Sequence, residues 1–278
     1  MRFPFIIVLL IVSCFSFSEV FAQDLQVLTE AGNGEKANAA TLNFGADIMS
    51  RYIWRGMDFG NSPAIQPNIY LSWRGLNVGA WGSYSFAPYQ AMVNNTVSKN
   101  MGNYTEMDMY VSYTYKWFTL MFFDFFIPNG LDPNYTTIQR YQYFNYDYKT
   151  TGHTFEVSLT FTGPQKFPLK VFVGTLVYGD DKAKDTLGHF NDVNKNNYST
   201  YIELAYPVSF QKIIDLNFFI GGTPFAGSWY GPKAGIINVG LTAKRTIPIT
   251  KSYGIPVQAS LIANPASQKL FLVFGITF

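Results

Sequence analysis

From Thr41 onward, apolar and polar residues alternate with a period of two over most of the chain. Successive side chains of a β-strand point to opposite faces, so the pattern predicts strands with one apolar face and one polar or small face. The clearest case is 106–117, where Met107, Met109, Val111, Tyr113, Tyr115 and Trp117 alternate with Glu106, Asp108, Ser112, Thr114 and Lys116. About a dozen such segments follow one another: 41–55, 65–74, 76–86, 106–117, 119–127, 155–162, 169–178, 199–208, 214–223, 236–246, 255–264 and 269–278. The fifth is apolar on both faces except at Asp124, so its pattern orients it least.

The connections alternate in length. Polar or glycine- and proline-bearing loops such as 87–104, 128–152 and 179–197 follow odd-numbered strands. Brief turns such as Arg74-Gly75, 163–168 and 209–212 follow even-numbered ones; the short link 265–268 breaks the rule. Long loops on one side and short turns on the other are the connectivity of a transmembrane barrel. The predicted fold is all-β, an antiparallel up-and-down transmembrane β-barrel of about 12 strands over 41–278. An even strand number puts the N- and C-termini on one side, the periplasm of an outer-membrane barrel.

The ends of the chain add to this. Residues 1–22 place Arg2 before an apolar stretch and end on Val20-Phe21-Ala22, the pattern of a cleaved signal peptide. Ile11-Val12-Ser13-Cys14 also reads as a lipobox, which leaves lipidation of Cys14 as the alternative. Residues 23–40 are polar, small and aperiodic, a flexible periplasmic lead-in. The last strand alternates Leu270, Leu272, Phe274, Ile276 and Phe278 with Lys269, Phe271, Val273, Gly275 and Thr277. It resembles the C-terminal strand by which the outer-membrane barrel assembly machinery engages its clients.

Composition excludes other classes. With 48% hydrophobic, 18% aromatic and only 14% charged residues, the chain is too apolar for intrinsic disorder. Its mean hydropathy of +0.04 and lack of long apolar runs after the leader exclude a helical multi-span protein. A net charge of +2 without a basic block gives nucleic-acid binding no support.

Taking each lipid face from its apolar residues puts Asp47, Arg51, Arg55, Arg74, Glu106, Asp108, Lys116, Asp124, Glu156, Lys170, Glu203, Asp215, Lys244 and Lys269 on the opposite, lumenal face. Arg245 alone falls on the lipid side, beside a turn, where a basic side chain costs little. The candidate pore-lining residues are these lumenal charges other than Lys269, together with Trp81, which narrows the lumen. Arg51 and Arg55, about 13 Å apart along a strand, form either an outer-mouth ladder that attracts anions or pairs with Glu106, Asp108 or other wall carboxylates that brace the barrel. Tyr52 and Trp54 are expected at an outer aromatic girdle and Trp73, Tyr113, Tyr115 and Trp117 at an inner one. Trp229 is placed in a loop.

Around Ser50 to Gly56 (SRYIWRG), Ser62 to Pro67 (SPAIQP) and Gly75 to Ser83 (GLNVGAWGS), the chain resembles the TorF-type family of Gram-negative outer-membrane porins. Tyr201-Ile202-Glu203 before Ala205-Tyr206-Pro207, and Asn264-Pro265 before the last strand, are similar too. The resemblance implies an outer-membrane barrel with a pore role and carries over no catalytic residue, substrate or cofactor.

About twelve strands lie between the small barrels that side chains fill and the porins with open channels. The expected function is a narrow channel for small hydrophilic solutes. Seven basic and seven acidic lumenal charges imply weak ion selectivity. The alternative is a closed barrel acting through its outer loops, one of which carries Tyr135, Tyr141, Tyr143, Tyr146 and Tyr148. A hydrolase built on His153 has no nucleophile on its parity: Thr154, Ser158 and Thr160 face the other way. Enzymatic activity is therefore not expected, and neither is a cofactor or metal. Asp180-Asp181 lacks the spacing of an EF-hand loop and reads as a solvated pair.

Overall fold

The computed structural model describes residues 39–93, 97–131, 138–211, 213–251 and 253–278. The leader, Cys14 and the lead-in up to residue 38 lie outside the described residues. In chain order the strands are β1 (Thr41–Met49), β2 (Tyr52–Trp54), β3 (Met57–Phe59), β4 (Ala64–Trp73), β5 (Leu76–Val93), β6 (Val97–Tyr115), β7 (Phe118–Phe126), β8 (Asn129–Leu131), β9 (Ile138–Arg140), β10 (His153–Thr162), β11 (Lys170–Gly179), β12 (Lys182–Lys184), β13 (Phe190–Asn196), β14 (Thr200–Phe210), β15 (Ile214–Thr223), β16 (Gly235–Pro248), β17 (Gly254–Asn264) and β18 (Lys269–Thr277). Twelve of them close into an antiparallel barrel ordered β1-β18-β17-β16-β15-β14-β11-β10-β7-β6-β5-β4; β2-β3, β8-β9 and β12-β13 form separate two-stranded sheets. No described helix is long and apolar enough to cross a membrane.

The period-two pattern decides which side of the wall each residue takes. Leu42, Phe44, Ile69, Leu71, Met107, Val111, Leu120, Phe122, Leu204, Phe218, Leu261, Leu272 and Phe274 are exposed on the outer surface. Their neighbours in sequence turn inward, which gives a wall with an apolar exterior, the form a lipid-embedded barrel requires. Trp73, Tyr113, Tyr115 and Trp117 are exposed near the short turns. The turn Arg74-Gly75 has positive φ at both residues (50° and 89°), the two-residue geometry that matches strand twist.

Closure between β1 and β18 is the shortest pairing in the wall. Its register is Asp47↔Thr277, Ile48↔Ile276 and Met49↔Gly275. Phe278 exchanges backbone hydrogen bonds with Ala46 (3.0 and 3.2 Å), and the Ser50 amide donates to the Phe274 carbonyl (2.8 Å). From Phe274 towards Lys269, no described strand pairs with β18 on that side.

Two expected boundaries are revised. The first strand ends at Met49 rather than Arg55, because the chain bends at Ser50-Arg51 and turns inward. Tyr52, Ile53 and Trp54 are all buried, so this stretch has no lipid face to continue the wall. Tyr52 and Trp54 are thus interior residues and not girdle aromatics. The expected loop 87–104 is mostly strand: β5 and β6 extend as a long hairpin beyond the end of β4.

Candidate functional site

What turns inward after β1 is a small hairpin that packs inside the barrel. β2 and β3 pair as Tyr52↔Phe59, Ile53↔Asp58 and Trp54↔Met57, leaving the two-residue turn Arg55-Gly56. Both turn residues have positive φ (49° and 77°). Gly56 is required here, since a Cβ at that position would lie 1.9 Å from the Ile237 carbonyl oxygen on β16. Asn264 of β17 donates to the Gly56 carbonyl (3.1 Å). The hairpin therefore starts at the β1–β4 side and its tip rests on β16 and β17.

Arg55 anchors the tip. Nη1 and Nη2 donate to the two Glu156 carboxylate oxygens of β10 at 2.6 and 2.8 Å, a bidentate pair, and Nη1 also donates to the Tyr230 hydroxyl. The guanidinium lies 4.3 Å from the Trp54 ring centroid, 5.0 Å from Phe172 and 4.9 Å from Tyr201, an aromatic enclosure that favours the cation. Glu156 reaches this point by lying over Gly174 of β11, where a Cβ would meet its carboxylate at 2.7 Å.

A second piece joins the hairpin from the loop between β15 and β16. Trp229 packs against Trp54 (5.7 Å between centroids), and Tyr230 lies against Tyr201 (5.7 Å). With Trp81, Tyr104, Phe123, Phe125 and Phe172 from the wall, these rings make one continuous interior cluster. Trp81 is thus part of the lumenal packing, and Trp229 belongs to the interior although it sits in a loop.

The inner wall also carries polar groups around this aromatic cluster. Tyr104 donates to Glu106 (2.7 Å) on β6, and Tyr201 donates to Glu203 (2.5 Å) on β14, where Asn238 also donates (2.9 Å). Asp108 accepts from the Phe126 amide (3.1 Å), and Lys170 is buried. Nearer the short turns, Thr277 donates to Asp47 (2.5 Å), and Asp215 lies opposite Lys244 in register. Three other expected lumenal charges are elsewhere. Arg51 binds Asp58 and Asn61 at the base of the hairpin, so it makes no basic ladder with Arg55. Arg74 and Lys116 sit exposed in the short turns, beside Trp73 and Tyr115 respectively. A turn residue with φ near 50° has left the strand's alternation, and strand parity misplaced both.

At the long-loop end, His153 is buried. Its Nδ1 meets Asp124 at 2.7 Å, its Nε2 meets the Tyr143 carbonyl at 2.5 Å, and Tyr146 stacks on the ring (4.3 Å). Asp181 is a clamp, not a solvated loop residue: it accepts from the Ser199 amide (2.8 Å), the Ser199 hydroxyl (2.6 Å) and the Ser228 hydroxyl (2.7 Å). Trp229 Nε1 donates to the Asp180 carbonyl (2.9 Å), which ties this clamp to the plug. Burial pushes the Asp180 carboxyl up to about 6, against the pull of Lys182, and burial raises Asp181 as well. No group of three metal-ligating side chains occurs among the described residues.

The inward hairpin was the feature missed from sequence. Its trace is the Arg-Gly dipeptide between two short aromatic runs, Tyr52-Ile53-Trp54 and Met57-Asp58-Phe59, a two-residue hairpin turn inside what reads as one long strand. No protein-family model matches the chain, and no curated protein matches it, so the twelve-stranded barrel with its lumenal hairpin stands on geometry alone.

Proposed function

We propose that this chain is an outer-membrane barrel of a Gram-negative bacterium, exported with a cleaved leader. It acts as a narrow channel for small hydrophilic solutes, held shut by β2–β3 and the 224–234 loop. Its termini face the periplasm, its final strand ending at Phe278 engages the barrel assembly machinery, and the TorF-type resemblance points the same way. The observation that carries the reading is the chemistry of the plug–wall contact. A permanent filling is at least as stable when apolar, because a buried ion pair seldom outweighs its desolvation. Here the contact contains the buried, bidentate Arg55–Glu156 ion pair. Among the described residues, the Gln66 amide and Trp54 Nε1 are buried without a hydrogen-bond partner.

A second reading is a closed barrel working through its outer loops, and the continuous aromatic cluster favours it. Planar-bilayer recording separates the two. The comparison is between the wild type and a variant with residues 52–60 replaced by a Gly/Ser linker, both checked for folding by heat-modifiable gel mobility. The channel reading expects rare openings in the first and a steady conductance in the second. An inserted, folded variant that passes no ion would sink it. No catalytic role is assigned to His153, because acceptors occupy both of its ring nitrogens.

A further inference from the structure

On the outer surface of the barrel, a groove of about 550 Å³ crosses β15 to β18 and ends where β1 stops. Its residues form two neighbouring rows of the wall. One row runs Ala243↔Ala259↔Phe274 and the other Arg245↔Val257↔Ile276↔Ile48. Small side chains at Ala243 and Ala259 leave the depression, and Ile214, Val257, Phe274 and Ile276 give it apolar sides.

One charge interrupts this surface. Arg245 is exposed, and its parity places it with the apolar residues of β16, whereas Lys244 turns the other way, opposite Asp215 and Gln258. Among the described residues Arg245 has no acidic partner. It lies three residues before the end of β16 at Pro248, on the side of the short turns. Four described turns of that rim carry an exposed basic residue, Arg74, Lys116, Lys166 and Lys251, and none of these turns holds an acid. A guanidinium at the edge of an apolar groove, at headgroup depth, is complementary to an amphiphile with an acyl chain and an anionic head.

We propose that this groove binds one anionic phospholipid of the inner leaflet, its acyl chain over Ala243 and Ala259 and its phosphate on Arg245. The proposal rests on the membrane reading above. Within that reading it gives the exposed Arg245 an anionic partner at headgroup depth.

The test uses the full barrel in nanodiscs containing equal phosphatidylglycerol and phosphatidylethanolamine. Native mass spectrometry after detergent release reads the lipid each barrel retains. The wild type is expected to retain one phosphatidylglycerol in preference to phosphatidylethanolamine. Arg245→Gln is expected to reduce that retention about fivefold, the effect of roughly one basic contact to an anionic surface. Ala259→Trp, which fills the groove and leaves Arg245, is expected to reduce it as well, and Arg74→Gln to leave it unchanged. Equal retention of both lipids overturns the proposal, as does an equal loss in Arg74→Gln, which would mean rim attraction only. Retention of added palmitate instead of phospholipid overturns the choice of occupant. Flotation of the wild type with liposomes is read in parallel. A barrel that fails to insert defeats the membrane reading, whereas one that inserts without lipid preference defeats only the groove.

Discussion

Arg55 is held in a backbone conformation that suits asparagine or glycine better, because the first residue of this turn requires positive φ (49°). Its side chain supplies the compensation, through two charge-assisted bonds to Glu156 and an aromatic enclosure. Removing one partner leaves the other charge buried, at a cost of about 3–5 kcal/mol. Glu156→Gln is thus expected to lower the urea midpoint of unfolding clearly, while Arg55→Met combined with Glu156→Leu recovers most of the loss. If the double variant is no more stable than the single one, the pair is not the source of the cost. Gly56→Ala is a sharper probe, since the new methyl group meets the backbone of Ile237 and not a side chain that can move. The expected outcome is a displaced hairpin, seen as increased quenching of Trp54 fluorescence by a soluble quencher; unchanged quenching would contradict the placement of the tip.

Among the elements, the β1–β18 seam and the 180–199 segment invite separate experiments. With so short a register, the seam depends heavily on the two backbone bonds that Phe278 makes to Ala46. Deleting Phe278 is expected to reduce the heat-modifiable, closed fraction recovered from refolding, and full recovery would show that the seam closes without it. In the 180–199 segment, Asp180 binds its proton more tightly folded than unfolded, near pH 6 against the ordinary value of 3.8. Its contribution is therefore fully present below about pH 4 and is lost as pH rises through 6. The raised Asp181 acts with the same sign. Proteolysis of 180–199 should be slower at pH 5 than at pH 7.5, with Asp180→Asn weakening that dependence. A wild-type cleavage rate that does not change with pH would rule the mechanism out.

Over the whole molecule, relocating three basic residues changes the charge of the lumen. Arg51 belongs to the hairpin, and Arg74 and Lys116 to the turns. Facing the lumen from the described wall strands are Asp47, Glu106, Asp108, Asp124, Glu156, Glu203 and Asp215, with Lys170 and Lys244 as the basic groups away from the outer rim. The near-neutral wall implied by strand parity is therefore an acidic one. The hairpin-replaced barrel, which also lacks Arg55, is expected to prefer cations, with a reversal potential towards the potassium equilibrium value in a KCl gradient. A potential near zero or of opposite sign would show that the wall acids do not govern permeation. The Asp181–Ser228 and Asp180–Trp229 bonds join the 180–199 segment to the interior cluster, so on the channel reading Asp181→Ala is expected to raise the frequency of openings; an unchanged frequency would uncouple the two.

The barrel was legible in the sequence because a wall between two media imposes one local rule on every strand, and Met107 to Trp117 displays that rule without reference to any neighbour. Strand number, alternating loop lengths and the exterior position of the apolar residues follow from it. The plug was not legible, because Tyr52 and Trp54 keep the alternation of the preceding strand while the chain has already turned inward. Only the closed wall decides that turn: it creates an interior too wide for its own side chains to fill and places Glu156, Ile237 and Asn264, distant in sequence, where one hairpin tip can meet all three.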